Sequence, residues 1–438
     1  MSRPWTSLRL VRHGSVTAVL AVLALLAASS ASWAQTTITY WNMHGRAQYE
    51  EELVERFNAE HPHIQVDLIP VPGGYANASH LIAAEVSGDL PDLIYVDRGV
   101  ITDLKVTGIL KDLTPYIESA GWNLPAEWFP ATLGTVVHRG RYYGVPRDGF
   151  PMSVLAWNKK LFAEAGLDPN SPPASMEEMP ALHRRLLRLD SDGIARQLAF
   201  IPWMGVGQYG LVQALLWGSN WWDPHDQRVI VDSPRNVEAF QWLGAWAQEL
   251  QPLLGRSWGS GDLVGDALAM MMVSSHNVVQ FDKMGLTAQE IGIAPYPAAP
   301  GEAVHRLYMA GEGFAIPERA RHPEEAWNFV VWLMAEEQAA RFAHESGVPP
   351  ARFDSARYYL AEYGSPLYQQ MIEAMFASQT VAVPGTPFDI NPAWLEMHRA
   401  LLDVINLRKD ARSALAEAQA AVEAKFAEYV DANGPWWE

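Results

Sequence analysis

Two tryptophans stand side by side in "GSNWWDP" (218–224), in a chain that carries 18 tryptophans. A flat indole can fill a core, or it can offer its face to a ring-shaped ligand while its N–H takes a polar partner. Adjacent residues of an extended segment point to opposite sides, so at most one of Trp221 and Trp222 is expected to face a ligand while the other packs. Trp222 is taken as the facing one. The chain also holds 50 acidic residues, and two carboxylates across a glycosidic bond would suffice to hydrolyse it. No catalytic spacing supports that chemistry, and no nucleophile elbow, Walker loop or H-E-x-x-H run is expected to supply another. His61 and His63 flank a proline and read as a surface turn that ends a helix, so neither a metal nor a cofactor is expected.

The elements that position these residues belong to an exported chain. Arg3, Arg9 and Arg12 precede a short apolar run from Val16 to Ala28, and Ser32-Trp33-Ala34 closes it with small residues. Residues 1–34 therefore read as a signal peptide, with the mature chain beginning near Gln35. The run is too short to span a membrane, and no later segment is long and apolar enough. There is no cysteine, which excludes disulfides and anchoring through a lipidated cysteine. Cleavage removes three arginines and no acids, moving the formal charge from −18 to −21 (29 basic against 50 acidic residues). A surface so acidic makes nucleic acid and anionic membrane poor partners. The remaining chain exceeds the usual size of one core, so two lobes are expected.

Along the chain, "TITYW" (37–41) alternates as a strand, and Tyr49, Leu53 and Phe57 mark one face of a helix. Ile64, Val66 and Leu68 alternate as a second strand. A loop, "PVPGGY", a helix through "HLIAAEV" and a buried strand "DLIYV" (92–96) follow. Strand, helix, strand, helix, strand is the pattern of a parallel sheet covered by helices. Ligands of such sheets bind beyond the carboxyl ends of the strands, which puts the "NMHG" turn with His44, the "PVPGGY" loop and Asp97 on one rim. Asp97 reads equally as a helix cap. Further on, residues 142–158 read as an extended crossing, a helix is predicted from near Met176, and "SPRNVEAFQWLGAWAQEL" as a capped helix burying Phe240, Leu243 and Trp246. The last sixth reads as helical.

The order of "ITYWNMHG…ELVERFNAEHPHIQV", "GDLPDLIYVD", "YYGVPRDGFPMSVLAWNKKLFAEAGLDPNSPPASMEEM", "GDALAMMMVSSHN", "APYPAAPG" and "AGEGFAIPERARHPEEAWNFVVWLMAEEQAARFAHESGVPP" resembles the extracellular solute-binding proteins of ABC importers that take up sugars and glycerol phosphates. The resemblance implies an α/β, two-lobed periplasmic binding protein fold (type II-like), each lobe a mixed sheet flanked by helices with the ligand cleft between. It implies lobes at 36–145 plus 308–355 and at 146–307 plus 356–438, closing on ligand. It also implies a periplasmic monomer that performs no chemistry and delivers its ligand to the permease subunits in the membrane.

Carbohydrate recognition wants flat apolar faces under the rings and acceptors around the hydroxyls. On the resemblance, Asp148 lies at the first crossing between lobes and faces the ligand, and Trp203 in "PWMG" matches a stacking tryptophan. Ser275 and His276 fall where serines of the glycerol-phosphate binders meet ligand. Gly311 and Glu312 in "AGEGF" stand where a glycine pair lets backbone approach. The loop "PGTPFDINP" offers Asp389 where those binders carry an arginine, and a carboxylate there repels phosphate. Arg46, Arg147 and Arg352 could replace that cation but read more simply as surface or inter-lobe charges. The expectation is therefore an uncharged di- or oligosaccharide or polyol, with glycerol 3-phosphate or a glycerophosphodiester as the alternative and glycoside hydrolysis as a lesser one.

Overall fold

A computed structural model of the chain describes residues 35–71, 77–205, 210–383 and 390–435. The expected signal peptide, most of the "PVPGGY" loop and Asp389 lie outside the described residues.

Three strands open the chain: β1 (Thr36–Asn42), β2 (Ile64–Pro70) and β3 (Leu93–Asp97). They pair in parallel with β1 in the middle. Such strands need helical crossovers, and helices Glu51–Glu60 and Asn77–Ser87 supply them. Two later segments complete the sheet: Glu312–Ala315 runs antiparallel to β3, and Val145–Pro146 runs antiparallel to Glu312–Ala315. The period of two along a strand divides each between two cores. Leu93 and Tyr95 pack with Phe57, Phe314, Phe329 and Trp327 on one face, whereas Ile94 and Val96 pack with Leu81, Val100, Ile101 and Leu104 on the other. With both faces covered, β3 is buried from end to end.

The second body is built around Val154–Asn158, which pairs antiparallel with Met270–Val273 on one side and Ile291–Pro295 on the other. Helix Pro234–Leu250 packs in the same core, against the C-terminal helices Ile390–Ile405 and Ala411–Asn433. Ser233 caps helix Pro234–Leu250 by accepting from the Asn236 N–H, and Phe240, Leu243 and Trp246 form its buried stripe as predicted. Near Met176 a 3-10 turn, Met176–Glu178, precedes the α-helix Met179–Leu186, because Ser175 and Glu178 form a reciprocal cap at its start. The C-terminal helices Ile390–Ile405 and Ala411–Asn433 pack on the same core.

Among the described residues, neighbouring stretches of chain belong to different cores at several places. Val145 belongs to the first core and Val154 to the second, Met309 to the second and Phe314 to the first, Ala351 to the first and Ala356 to the second. Near these places Phe150 pairs with Ala310, and Asp148 bridges to Pro350. Among the described residues no helix is long and apolar enough to cross a membrane.

The tryptophan doublet departs from the sequence expectation. Trp221 is 0 % and Trp222 4 % exposed. Trp222 forms a short hairpin edge opposite Val229, and its ring packs on Phe426 of the last helix at 5.1 Å. That helix, Ala411–Asn433, lies in the stretch read from sequence as helical, and its contact with Trp222 is a long-range one that the sequence around residue 222 does not show.

Candidate functional site

The carboxyl ends of β1 and β3 and the start of Glu312–Ala315 meet at one rim, and the polar residues there form a single network. Beyond β1 the chain turns through Gly45, which has a positive φ, and Asn42 Oδ1 accepts from the backbone N–H of both His44 and Arg46. That turn aims His44 and Arg46 at Glu312. His44 Nε2 lies 2.5 Å from Glu312 Oε1, and Arg46 Nη1 donates to Glu312 Oε2 at 2.9 Å. Arg46 also stands 3.6 Å from Asp148 Oδ2. The Tyr95 hydroxyl donates to the same Asp148 oxygen at 2.5 Å, while the Glu312 N–H donates to Asp148 Oδ1 at 2.9 Å.

Asp97 is a helix cap, one of the two readings the sequence allowed, and it also stands at the rim. It caps helix Arg98–Leu104 by accepting from the Gly99 N–H at 2.7 Å, and it stands directly opposite Glu312 in the strand register. One ligand atom each from His44, Asp97 and Glu312 lie within 4.8 Å of one another, a donor set that could hold a metal ion. Gly311 is required by space: a Cβ there would collide with the Asp148 carbonyl oxygen.

Burial sets the electrostatics of this rim. It pushes the Asp148 carboxyl well above the ordinary range, with the charge of Glu312 adding to the effect and Arg46 opposing it. Burial also raises Asp97, against Arg98 and the Gly99 N–H. The His44 imidazole is lowered by burial and by Arg46, although Asp148 and Asp97 pull the other way. The rim thus offers several acceptors and a neutral imidazole, which suits a ligand rich in hydrogen-bond donors.

From the second body, His276 reaches toward this rim. Its ring meets Phe150 edge-on at 4.7 Å, and it lies in the electrostatic reach of Arg46 and Asp148. Ser275 next to it departs from expectation. It is fully buried at the start of helix Ser275–Lys283, and among the described residues its hydroxyl has no hydrogen-bond partner. Ser274 occupies the cap, donating to Asn277 Oδ1 through both its N–H and its hydroxyl.

Trp203 is half-buried and lines an open hollow with Trp258, Arg256, His398 and Leu402. Trp222 borders another, with Ser219, Asn220 and Arg306. Neither lining shares a residue with the enclosed pocket that Asp148, Gly311 and Glu312 help to form. The structure therefore gathers His44, Asp97, Asp148, Gly311, Glu312 and His276, and leaves Trp203, Trp222 and Ser275 outside that group.

Three further residues belong to the network without being expected there as site members: Arg46, Tyr95 and Phe150. Tyr95 carries a signal in the sequence, since it is two residues before Asp97 on the same strand and so on the same side. Arg46 is suggested by sequence only as a substitute phosphate ligand. A further motif corrects the expectation that no nucleophile-elbow spacing occurs: "GRSWG" (255–259) has the G-x-S-x-G pattern. It follows the 3-10 turn Gln251–Leu253 with no strand before it, and Ser257 is exposed, so the strained strand-to-helix elbow that activates such a serine is not formed.

Comparisons with known proteins agree with this architecture. The sn-glycerol-3-phosphate-binding periplasmic protein UgpB of Escherichia coli K12 is 24 % identical over 348 residues, covering 74 % of this chain and 77 % of the relative. Among solved structures, the sugar-binding protein MalE of Xanthomonas citri superposes with a TM-score of 0.76 at 20 % identity, over 91 % of this chain and 100 % of that one. The cyclic α-maltosyl-1,6-maltose binding protein of Arthrobacter globiformis gives 0.72, also at 20 % identity, over 90 % and 100 %. The model of the bacterial extracellular solute-binding protein family matches residues 40–340. The chain belongs to the bacterial extracellular solute-binding protein family, with the two-lobed α/β fold of its sugar-binding structural neighbours.

Proposed function

We propose that this protein is the substrate-binding component of an ABC importer that captures an uncharged carbohydrate in the periplasm and hands it to the membrane permease. The lobes are taken to be 36–145 plus 308–355 and 146–307 plus 356–438, a division supported by Val145, Phe314 and Ala351 packing in the first core and Val154, Met309 and Ala356 in the second. Ligand would bind between them and stabilise the closed arrangement by touching both. His44, Asp97, Asp148 and Glu312 would accept from or donate to hydroxyls at the rim of the first lobe, with Gly311 admitting backbone and His276 closing from the opposite lobe. Trp203 would supply a stacking face only if its hollow joins the cleft on closure.

The observation that carries this reading is the state of the arginines. A phosphate needs a cation free to pair with it. Arg147 is fully buried against Glu50 and seated over the Phe342 ring at 3.5 Å. Arg352 pairs with Glu127 at 2.9 Å, and Arg46 is held by Glu312 and Asp148. All three candidates for a phosphate clamp already face carboxylates, so an anion would have to displace one. The alternative, a glycerol 3-phosphate or glycerophosphodiester binder, keeps its support from the likeness to UgpB.

A thermal-shift screen of mono-, di- and trisaccharides, polyols, glycerol 3-phosphate and glycerophosphocholine tests the reading, with the reaction mixtures checked for products. A saturable rise in Tm with a saccharide and no product is expected. A response confined to the phosphate compounds overturns the choice of ligand, and turnover of a glycoside overturns the binding role.

A further inference from the structure

Three carboxylates and an imidazole converge on the rim of the first sheet. Asp97 and Glu312 are directly opposed across adjacent strands, an arrangement of like charges that destabilises a sheet unless a cation stands between. Arg46 answers this only in part, because it binds the outer Glu312 oxygen and lies against Asp148. Arg98 offsets some of the charge on Asp97 while its own bonds run to the Met309 carbonyl and the Tyr308 hydroxyl. Asp97 is 5 % exposed, and among the described residues the one hydrogen bond its carboxylate accepts is at Oδ1 from the Gly99 N–H.

We propose that His44, Asp97 and Glu312 bind a divalent transition-metal ion of the zinc type, with its remaining position open to the cleft. The inference goes beyond the carbohydrate reading and stands without it. The donor set is one imidazole nitrogen and two carboxylate oxygens, the mixture that borderline ions prefer in sites with an open position. The three ligand atoms lie within 4.8 Å of one another. Zinc-to-ligand distances of about 2.1 Å set neighbouring ligand atoms roughly 3.4 Å apart. His44 Nε2 and Glu312 Oε1, now 2.5 Å apart, would part slightly, and Asp97 would move in by about an ångström. Each ligand comes from a different segment of the sheet, so the backbone fixes their separation before any ion arrives. Arg46, bonded to the other oxygen of Glu312, orients that carboxylate as outer-shell partners do in metal sites.

The test is calorimetric titration of the metal-stripped mature chain with zinc chloride, repeated with cobalt(II), whose visible absorption reports tetrahedral coordination. One equivalent is expected to bind, with at least a tenfold loss in His44→Ala and in Asp97→Asn. His63→Ala is expected to keep it; the His61 and His63 rings, 6.3 Å apart, are the competing pair. Absence of saturable uptake, or uptake lost in His63→Ala but kept in Asp97→Asn, overturns the site. Circular dichroism of both variants separates loss of ligand from loss of fold. Saccharide titrations in a chelator distinguish the two readings: saccharide binding without zinc uptake removes this inference alone, and zinc uptake without any saccharide response removes the carbohydrate reading alone.

Discussion

In sequence, the rim of the first lobe and the tryptophan-rich side of the other lobe are equally suited to a carbohydrate, and the fold treats them oppositely. At the rim, charged groups are driven inside: Asp97, Asp148 and Glu312 are each at most 6 % exposed, and Asp148 is pushed well above the ordinary carboxylate range by burial. On the other side, the aromatic pair that invited a stacking role is core. The difference teaches which feature is informative. Burying an indole is favourable in itself, so a buried tryptophan needs no ligand to explain it. Burying a carboxylate costs free energy unless something pairs with it, and each of the three has a partner: the Gly99 N–H for Asp97, the Tyr95 hydroxyl and Glu312 N–H for Asp148, and Arg46 and His44 for Glu312.

This contrast can be broken most sharply at the doublet. Trp222→Ala is expected to destabilise the fold by about 3–5 kcal/mol, the usual cost of removing a large buried ring. Denaturant unfolding would measure it, and a small effect with lost binding would return Trp222 to the ligand. At the rim, Gly311→Ala is expected to weaken ligand binding by an order of magnitude or more. Its Cβ would collide with the Asp148 carbonyl and shift the strand that carries Glu312. Calorimetry of the folded variant checks that.

Trp203→Ala sharpens the comparison from the tryptophan-rich lobe. If the hollow around it joins the cleft, binding weakens by about 1–3 kcal/mol; unchanged affinity assigns Trp203 to packing.

A smaller effect concerns pH. His183 is fully buried beside Trp246, with Glu249 at 3.6 Å, and burial lowers its pKa below the ordinary 6.5 despite that carboxylate. A lowered histidine stabilises the folded state above its ordinary pKa, and the contribution is lost as pH falls through the folded value. Stability should therefore decline below about pH 6.5 with a slope of at most about 1.4 kcal/mol per pH unit from this residue. His183→Leu should flatten that limb in Tm measured against pH, and an unchanged limb would assign it to other groups, of which His44 and His276 are lowered in the same direction.

Much of this architecture is legible because it rests on short-range patterns. Alternation in β1, β2 and β3 and the capped stripe of helix Pro234–Leu250 are properties of consecutive residues, and the structure places them within a residue or two of where the sequence does. The rim is legible in part. The rule that ligands gather at strand ends reaches His44 and Asp97, but the bond from Tyr95 to Asp148 joins residues 53 positions apart, and no local pattern encodes it. Ser275 and Trp222 mislead for the same reason in reverse. Local sequence shows neither the full burial of Ser275 nor the ring partner of Trp222, which is Phe426, more than two hundred residues away in the last helix.

The most direct test is titration calorimetry of residues 35–438 with neutral disaccharides and with sn-glycerol 3-phosphate under one set of conditions, for the native sequence and for Asp148→Asn. The account predicts saturable heat from a disaccharide, weakened at least tenfold in Asp148→Asn, and none from the phosphate. Tight binding of the phosphate, undiminished or improved when Asp148 loses its charge, would contradict it.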